Sequence, residues 1–458
     1  MAELTLQKMA AGGMYDQLGG GFHRYSTDAH WLVPHFEKML YDNALLARAY
    51  LEAFQVTANQ DYARVASQTL DYVLREMQDP QGGYYSSQDA DSEGEEGKFF
   101  VWSEQEVRQI LGSEADLFCR FYDVTPEGNW EGANVLHRPH RLGEFASAMR
   151  LAPEEIERRL AAARSLLFAV REKRVKPGLD DKVLTSWNGL MIIAMARAFR
   201  VLGEERYLES ARRAARFILE RMGAGGRLLA TYRAGQAKLL GYLDDHAFLM
   251  GGLIELFESD FHLSWLEAAL RLAGQLERLF WDEGGGAFYF TGADHEQLLY
   301  RSKPGFDGAM PSGNSVAAFY LLRLAAYTGV SAYEARARDV LHAFHAQMRR
   351  APAGFPQMLA AADYYLARKR EVAVVGAESS PATRDGLRRL WRLFIPNEVL
   401  ALLDPGWAQR QELEEKVPLL RGKTALDGAT TFYLCENYAC QAPTRELDKV
   451  EQALRTAS

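Results

Sequence analysis

Aromatic and small apolar positions recur at fixed intervals along this 458-residue chain. Four segments open on an aromatic residue, Tyr62, Tyr207, Trp265 or Tyr333, and each carries alanine four places on, at Ala66, Ala211, Ala269 and Ala337. Eleven places after the aromatic stands Val73, Ile218, Leu276 or Phe344, and fifteen places after it stands Met77, Met222, Phe280 or Met348. Offsets of 4, 11 and 15 share one face of a helix with about 3.6 residues per turn, so the pattern predicts four amphipathic helices. Each ends near glycines, at Gly82-Gly83, Gly225-Gly226, Gly284 to Gly286 and Gly354, the residue type through which a chain most easily leaves a helix.

A second helix of different character precedes each of these. Segments 34–56, 186–202, 244–257 and 312–327 are apolar round most of their circumference and need cover on several sides. An inner apolar helix paired with an outer amphipathic one, repeated, predicts an all-α (α/α) toroid. Region 100–174 supplies a fifth hairpin through helical patterns at 103–111 and 153–173. The N-terminal helix with 356–368 would close a sixth, giving an (α/α)6 six-hairpin barrel over residues 1–369. Beyond Arg370 the texture changes to a short buried strand (371–376), a helix (384–393) and another strand (431–435), so 370–458 is expected to be a small α/β appendage.

The inner helices begin with polar segments: Pro34-His35-Phe36-Glu37, Thr185-Ser186-Trp187-Asn188, Asp244-Asp245-His246 and Pro311-Ser312-Gly313-Asn314. Pro at the first helical position and Ser, Thr or Asp as caps read as helix starts. Repeated hairpins run in one sense, so these starts are expected to open on one end of the ring, pooling free N–H groups round a cavity suited to an oxygen-rich ligand. On a helix from residue 34, His35 and Asp42 share a face, with Glu37 and Tyr41 beside them. Upstream, Gly19-Gly20-Gly21 is read as a backbone passing close to helix ends, which would bring His23 and Arg24 to the mouth. Loops at 89–94 and 304–311 add Asp89, Asp91 and Asp307. Trp130 and Trp187 supply indoles, which stack on sugar rings as readily as they fill cores.

Composition narrows the function classes. With 53 basic against 61 acidic residues the net charge is −8, and no block of one sign suggests a nucleic-acid or membrane surface. No stretch approaches the ~18 uncharged apolar residues of a membrane span, and the N-terminus lacks a signal-peptide pattern. Cys119, Cys435 and Cys440 show no metal or dithiol spacing, so no disulfide framework is expected and a cytoplasmic location is. No phosphate loop is present, and Asp89-Ala-Asp91-Ser-Glu93-Gly94 opens like a calcium loop but has Phe100 where the bidentate Glu belongs. Neither metal nor cofactor is expected.

The run from Asp16 to Asp28 (Asp-Gln-Leu-Gly-Gly-Gly-Phe-His-Arg-Tyr-Ser-Thr-Asp), followed by Trp31-Leu-Val-Pro-His-Phe-Glu-Lys-Met-Leu-Tyr-Asp-Asn43, closely resembles the thioredoxin-domain-containing family that includes spermatogenesis-associated protein 20 and its bacterial relatives. Gln88 to Glu93, Gly128 to Glu131, Asp180 to Gly189, Tyr242 to His246, Met310 to Asn314 and Tyr433 to Asn437 agree with the same family. The resemblance implies an N-terminal thioredoxin-like domain followed by a six-hairpin glycosidase-like barrel similar to the sugar 2-epimerases. This chain is expected to begin about where that first domain ends, which would make a thioredoxin-like domain a separate partner.

These readings, with the resemblance, predict a carbohydrate-active enzyme acting on a small sugar, most of all one like a sugar epimerase or isomerase with histidine acid/base catalysis at the barrel mouth. His35 and His246 are the candidate acid and base, with Glu37 and Asp245 tuning them. The substrate is expected to meet His23, Arg24, Trp31, Asp42, Asp89, Asp91, Trp187, Asn188, Asp244, Asp307 and Asn314. A hydrolase drawing two carboxylates from Asp89, Asp91, Asp244 and Asp245 is the alternative reaction, and a non-catalytic sugar- or protein-binding module the alternative class.

Overall fold

The structure is a computed structural model that describes residues 1–436 and 439–456. Its contacts divide the chain into two compact units. The first comprises 1–53, 59–79 and 84–182, and the second 54–58, 80–83 and 183–458. Asn437 lies outside the described residues.

In the first unit the helices are α1 (Ala2–Ala11), α2 (Leu40–Thr57), α3 (Gln60–Tyr72), α4 (Glu104–Leu111), α5 (Ala115–Tyr122), α6 (Leu142–Met149) and α7 (Pro153–Arg171). Helices α2 and α3 form a hairpin in which the Tyr50 and Tyr62 rings meet, 6.0 Å between centroids. The fifth expected hairpin is a four-helix group, α4 to α7, round Trp102, Phe118, Phe121, Ile156 and Leu160. A capping box starts α4: the Ser103 hydroxyl accepts from the Glu106 N–H while the Glu106 carboxylate accepts from the Ser103 N–H.

The second unit continues with α8 (Thr185–Leu202), α9 (Glu205–Arg221), α10 (Leu243–Asp260), α11 (Leu263–Phe280), α12 (Gly313–Thr328), α13 (Ser331–Arg350) and α14 (Pro356–Leu366). Helices α8, α10, α12 and α14 pack side by side in that order, and α9, α11 and α13 each fold back on the helix before. The fold is therefore the helical-hairpin class to which (α/α) toroids belong. Its register is the one the periodicity predicts. Ala66, Ala211, Ala269 and Ala337 are all fully buried, as are Val73, Ile218 and Leu276. An alanine at that offset lets the outer helix approach its inner partner closely. In α10 nearly every residue is buried, which accounts for its all-round apolar sequence.

Residues 370–456 of the second unit form the expected α/β segment. Strand Arg370–Val375, buried throughout, runs parallel to Glu398–Leu403, with α15 (Pro381–Trp391) connecting them, and antiparallel to Thr431–Glu436. The sequence reading omitted the Glu398–Leu403 strand.

Two expectations are corrected. Helix α2 begins at Leu40 and not at residue 34: Pro34–His35 pairs with Tyr25–Ser26, and Lys38–Met39 pairs with Ser87–Gln88. Pro34 therefore opens an extended segment whose ladder partners lie elsewhere in sequence, and apolar content alone did not distinguish it from a helical turn. The second correction concerns the cysteines. Cys435 and Cys440 face each other across a short antiparallel pair and are joined as a disulfide, while Cys119 is buried and free. Among the described residues no helix is long and apolar enough to cross a membrane.

Close packing of α8 on α10 gives a direct test. A Cβ at Gly189 would sit 2.5 Å from the Phe248 carbonyl carbon and 2.6 Å from the Leu249 nitrogen, both backbone atoms that cannot rotate away. Gly274, on the exposed face of α11, has nothing within 4 Å of its Cβ position. In urea or thermal unfolding, Gly189→Ala should therefore cost about 1–3 kcal/mol or more, whereas Gly274→Ala should gain about 0.5–1 kcal/mol.

Candidate functional site

A buried hydrogen-bonding residue occupies the first turn of each of four inner helices: Asn43, Asn188, His246 and Asn314, all fully buried. In three of them the side chain reaches back to the carbonyl four residues earlier: Asn43 Nδ2 donates to Met39 (2.9 Å), Asn188 Nδ2 donates to Leu184 (2.9 Å), and His246 Nδ1 lies 2.8 Å from the Tyr242 carbonyl. Asn43 and Asn314 also clamp a distant loop. Each accepts from and donates to the backbone of one phenylalanine, Phe22 for Asn43 (2.7 and 3.1 Å) and Phe288 for Asn314 (2.9 Å both ways). His246 Nε2 contacts Gln275 at 3.0 Å and Arg227 at 3.2 Å, and burial draws its pKa down to about 4. Asn188, His246 and Asn314 are thus engaged in holding helix entries.

Other expected site residues hold backbone in the same way. Asp245 joins two helix starts, accepting from the Ser186 N–H of α8 (2.9 Å) and the Tyr242 N–H at the start of its own helix (2.8 Å). Asp307 accepts from the Ser312 and Gln357 N–H groups (2.8 and 2.9 Å) and from the Ser315 hydroxyl (2.7 Å). Of the expected caps, Ser312 caps α12 through the Ser315 N–H, whereas α8 and α10 are capped by neither Ser186 nor Asp244, because Asp245 takes that work. Trp187 is half-buried on the first turn of α8.

Asp244 differs from these. One of its carboxylate oxygens, Oδ1, is buried without a hydrogen-bond partner, and burial pushes its pKa up to about 6, against the Gly313 N–H that stabilises the anion. Gly313 is small of necessity, since a Cβ there would come within 2.4 Å of that oxygen.

In the first unit the extended segment 34–38 alternates, and its two faces carry two clusters. Phe36 and Lys38 point inward. The Lys38 ammonium lies 2.9 Å from Asp16 and donates to the Gly20 carbonyl, and Arg171 grips Asp16 through both carboxylate oxygens (2.8 and 2.9 Å). Although burial alone would raise the Asp16 pKa, Arg171 and Lys38 hold it well below the carboxylate range. Burial draws Lys38 down to about 8. His23 joins this face: it is buried, with Nδ1 2.9 Å from the Phe36 carbonyl, and burial followed by the Lys38 charge lowers its pKa to about 3. Gly20 and Gly21, both at positive φ, let the preceding loop press against α3. Neither Lys38 nor Arg171 was picked out in sequence, because a lone basic residue in an apolar run carries no periodic signal.

His35 and Glu37 point the other way. The imidazole lies between two carboxylates, with Nδ1 2.6 Å from Glu96 and Nε2 3.2 Å from Glu37, and it stacks on Tyr25. Arg24 reaches Glu37 at 2.8 Å. Asp42, on the first turn of α2, has Oδ2 buried without a hydrogen-bond partner. Burial pushes its pKa up to about 7, with Arg24 opposing and Glu37 adding to the rise. So four expected residues, Arg24, His35, Glu37 and Asp42, do come together, though by strand alternation and not on a helix face. Asp89 is exposed and turned on its own loop. Asp91 sits opposite Glu96 in a short hairpin, so the calcium-like motif is a β-turn. Trp31 is half-buried with φ +65°, a left-handed conformation unusual for a bulky side chain. Among the described residues no group of three or more His, Cys, Asp or Glu is arranged to hold a metal ion.

No family model matches the chain. Over 480 aligned residues it is 37% identical to spermatogenesis-associated protein 20 of Homo sapiens and 35% identical to that of Mus musculus, in each case across 97% of this chain. Those alignments take in 61% and 60% of the relatives, so the chain spans about three fifths of their length. Among solved structures, its backbone is similar to a sugar epimerase from a ruminal bacterium (11% identity, TM-score 0.47, covering 75% of this chain and 72% of that one). It is also similar to a family 76 glycoside hydrolase (mannosidase) of Bacteroides thetaiotaomicron (10% identity, TM-score 0.46, covering 76% and 71%).

Asp42 gives this site a measurable signature. Its folded-state pKa of about 7 lies above its ordinary value of 3.8. The folded chain therefore keeps a proton that the unfolded chain releases, and stability falls as pH rises from about 4 through 7. Asp42→Asn should remove that slope, leaving the variant more stable than the parent at pH 8 by about 1–3 kcal/mol, with little difference at pH 4. Urea unfolding at the two pH values measures it, and an unchanged slope would mean that Asp42 is ionised in the fold.

Proposed function

We propose that this chain is a carbohydrate-active enzyme that moves a proton next to a sugar carbonyl, with Arg24, His35, Glu37 and Asp42 as its proton-transfer centre. The observation that carries this reading is a partnerless carboxyl, neutral up to about pH 7, next to a histidine–carboxylate pair. Most buried polar groups are hydrogen-bonded, and a carboxyl with a buried oxygen left unpaired and a raised pKa beside titratable neighbours is a functional candidate.

In this reading the His35–Glu37 pair takes the proton from the carbon beside the carbonyl. The C–H electron pair moves into a carbon–carbon double bond, and the carbonyl oxygen gains the charge. Arg24 meets that oxygen and Asp42 gives it a proton. For the isomer, the His35–Glu37 pair returns its proton to the neighbouring carbon while the second hydroxyl gives its proton to the Asp42 carboxylate. For the 2-epimer, solvent protonates the opposite face while Asp42 takes back the oxygen's proton and the imidazolium releases its own to solvent. Glu96 accepts from Nδ1 and holds the imidazole in orientation. No cofactor or metal enters these steps.

His246 is not retained as the second acid/base, because its ring is fully buried whereas the His35 ring is partly exposed and open to a substrate. A reducing sugar is the substrate class implied by the sequence resemblance, and a thioredoxin-like partner domain has the same basis. The assignment of 1–369 to the hairpin domain and 370–458 to an appendage belongs to this proposal. The hydrolase reading has weaker support. Asp245 is spent on two backbone N–H groups, and Asp89 on its own loop, leaving Asp244 without a carboxylate partner suited to the work.

Incubation of the protein with a panel of aldoses and ketoses in D₂O should place deuterium at C2 of at least one, read by NMR. His35→Gln and Asp42→Asn should each slow labelling by about 10²-fold or more, and the rate should fall as pH rises through about 7, where Asp42 loses its proton. No label from any sugar would sink the proposal, and saturable sugar binding without label would replace it with the binding-module reading.

A further inference from the structure

A cavity of about 370 Å³ opens in the second unit where the ends of α8, α9 and α10 meet the α/β segment. A smaller one of about 220 Å³ adjoins it, sharing Asp260, Phe261 and Glu378. Packed interiors leave few voids larger than a water molecule, and ligand sites begin at about 300 Å³, so this is the size of a site and not of a packing fault. Its position follows from the topology. Glu378 and Leu402 bring it to the carboxyl ends of the two parallel strands Arg370–Val375 and Glu398–Leu403, the end at which parallel α/β units commonly hold ligands.

The walls specify the chemistry. Phe199, Phe261 and Trp391 form a continuous aromatic surface: Trp391 lies 5.7 Å from Phe199 and 6.2 Å from Phe261, stacked on the latter at 15°. Phe261 holds φ +57°, which no bulky residue adopts freely, and its buried ring backs Trp391 in the apolar cluster with Leu387 and Leu402. The Trp391 indole N–H is buried without an acceptor among the described residues.

At the rim, Arg212 is taken up by Asp260 (2.8 Å) and Glu205 (3.3 Å). Arg384 donates to the Glu378 carbonyl at 3.2 Å. Arg388, one turn further along α15, is exposed and has no ion-pair partner among the described residues. Three arginines and three carboxylates, Glu205, Asp260 and Glu378, thus line the cavity, and Arg388 is the arginine left uncommitted among the described residues.

The geometry points to a second ligand site in this cavity, one for a planar aromatic or heteroaromatic molecule carrying a single anionic group. The ring lies on the Phe199–Trp391 wall, and its anion is met by Arg388. The site is chemically unlike the proton-transfer cluster and stands independently of it.

Titration of the full chain with 2-naphthoate tests this by calorimetry and tryptophan fluorescence. Saturable binding is expected, weakened about tenfold or more in Arg388→Gln. Arg389→Gln is the matched control: it removes the same charge from the next residue, which pairs with Asp448 and Glu451, and should bind as the parent does. Trp391→Phe should lose most of the fluorescence change. The proposal is overturned by an absence of saturable binding, by equal losses in the two arginine variants, or by neutral 2-naphthylmethanol binding as tightly as the carboxylate.

Discussion

Each inner helix has to accept a chain arriving from a loop, and its first turn carries N–H groups that no helix can satisfy for itself. The structure meets it with groups from outside the first turn, such as the Ser86 carbonyl for the Leu40 N–H and the Asp245 carboxylate for the Ser186 N–H, and ties the arriving chain down with one buried polar residue per helix: Asn43, Asn188, His246 and Asn314. Three of the four are amides, which donate and accept at once and so can take both polar groups of a peptide unit, as Asn43 does with Phe22 and Asn314 with Phe288. Removing such a residue would strand buried backbone groups. The clamps also decide where chemistry is possible, because residues just before them, Asp42 next to Asn43 and Asp244 two places before His246, are held at fixed helix starts while the clamp carries the hydrogen bonding.

Charge is handled in opposite ways at the two kinds of place. Asp16 sits between Lys38 and Arg171 with every oxygen engaged, and in the second unit Glu255 and Glu258 are enclosed by Arg200 and Arg323, with Arg197 also on Glu255. Those ions are buried, paired and hydrogen-bonded, the only condition under which burying them is tolerable. Asp42 and Asp244 each leave one buried oxygen without a hydrogen bond, and burial pushes their pKa values up to about 7 and about 6. The same residue type therefore reads as framework or as candidate acid according to what surrounds it. Sequence alone presents all of them as aspartates near helix starts.

That difference sets what was legible. The outer-helix register was readable because an alanine at offset 4 and apolar residues at 11 and 15 are local facts of one helix, and their burial follows wherever the helix packs. The α/β texture after Arg370 was readable for the same reason. The 34–39 segment was not: its conformation depends on ladder partners such as Tyr25 and Gln88, and a run of Pro, His, Phe, Glu and Lys satisfies helical and extended patterns alike. His35, Glu37 and Asp42 were nevertheless read as neighbours, because residues two apart on a strand share a face much as residues seven apart on a helix do, whereas Arg24 was placed with His23. His246, Asn188 and Asn314 were overvalued. A histidine or amide at a helix start suits a substrate contact and a backbone clamp equally well, and only the observed partners separate the two.

The strand alternation at 34–38 makes the two clusters of the first unit mechanically one object. Lys38 and Phe36 are fixed from below by Asp16, Arg171 and His23, so the backbone that presents His35 and Glu37 on the opposite face cannot rotate without breaking a fully buried ion triad. A proton-transfer group has to be held to within a fraction of an ångström to be effective, and half-exposed side chains cannot supply that rigidity themselves. The buried Asp16–Lys38–Arg171 set holds this backbone, which gives a physical reason for three charges in the interior beside the centre proposed for proton transfer.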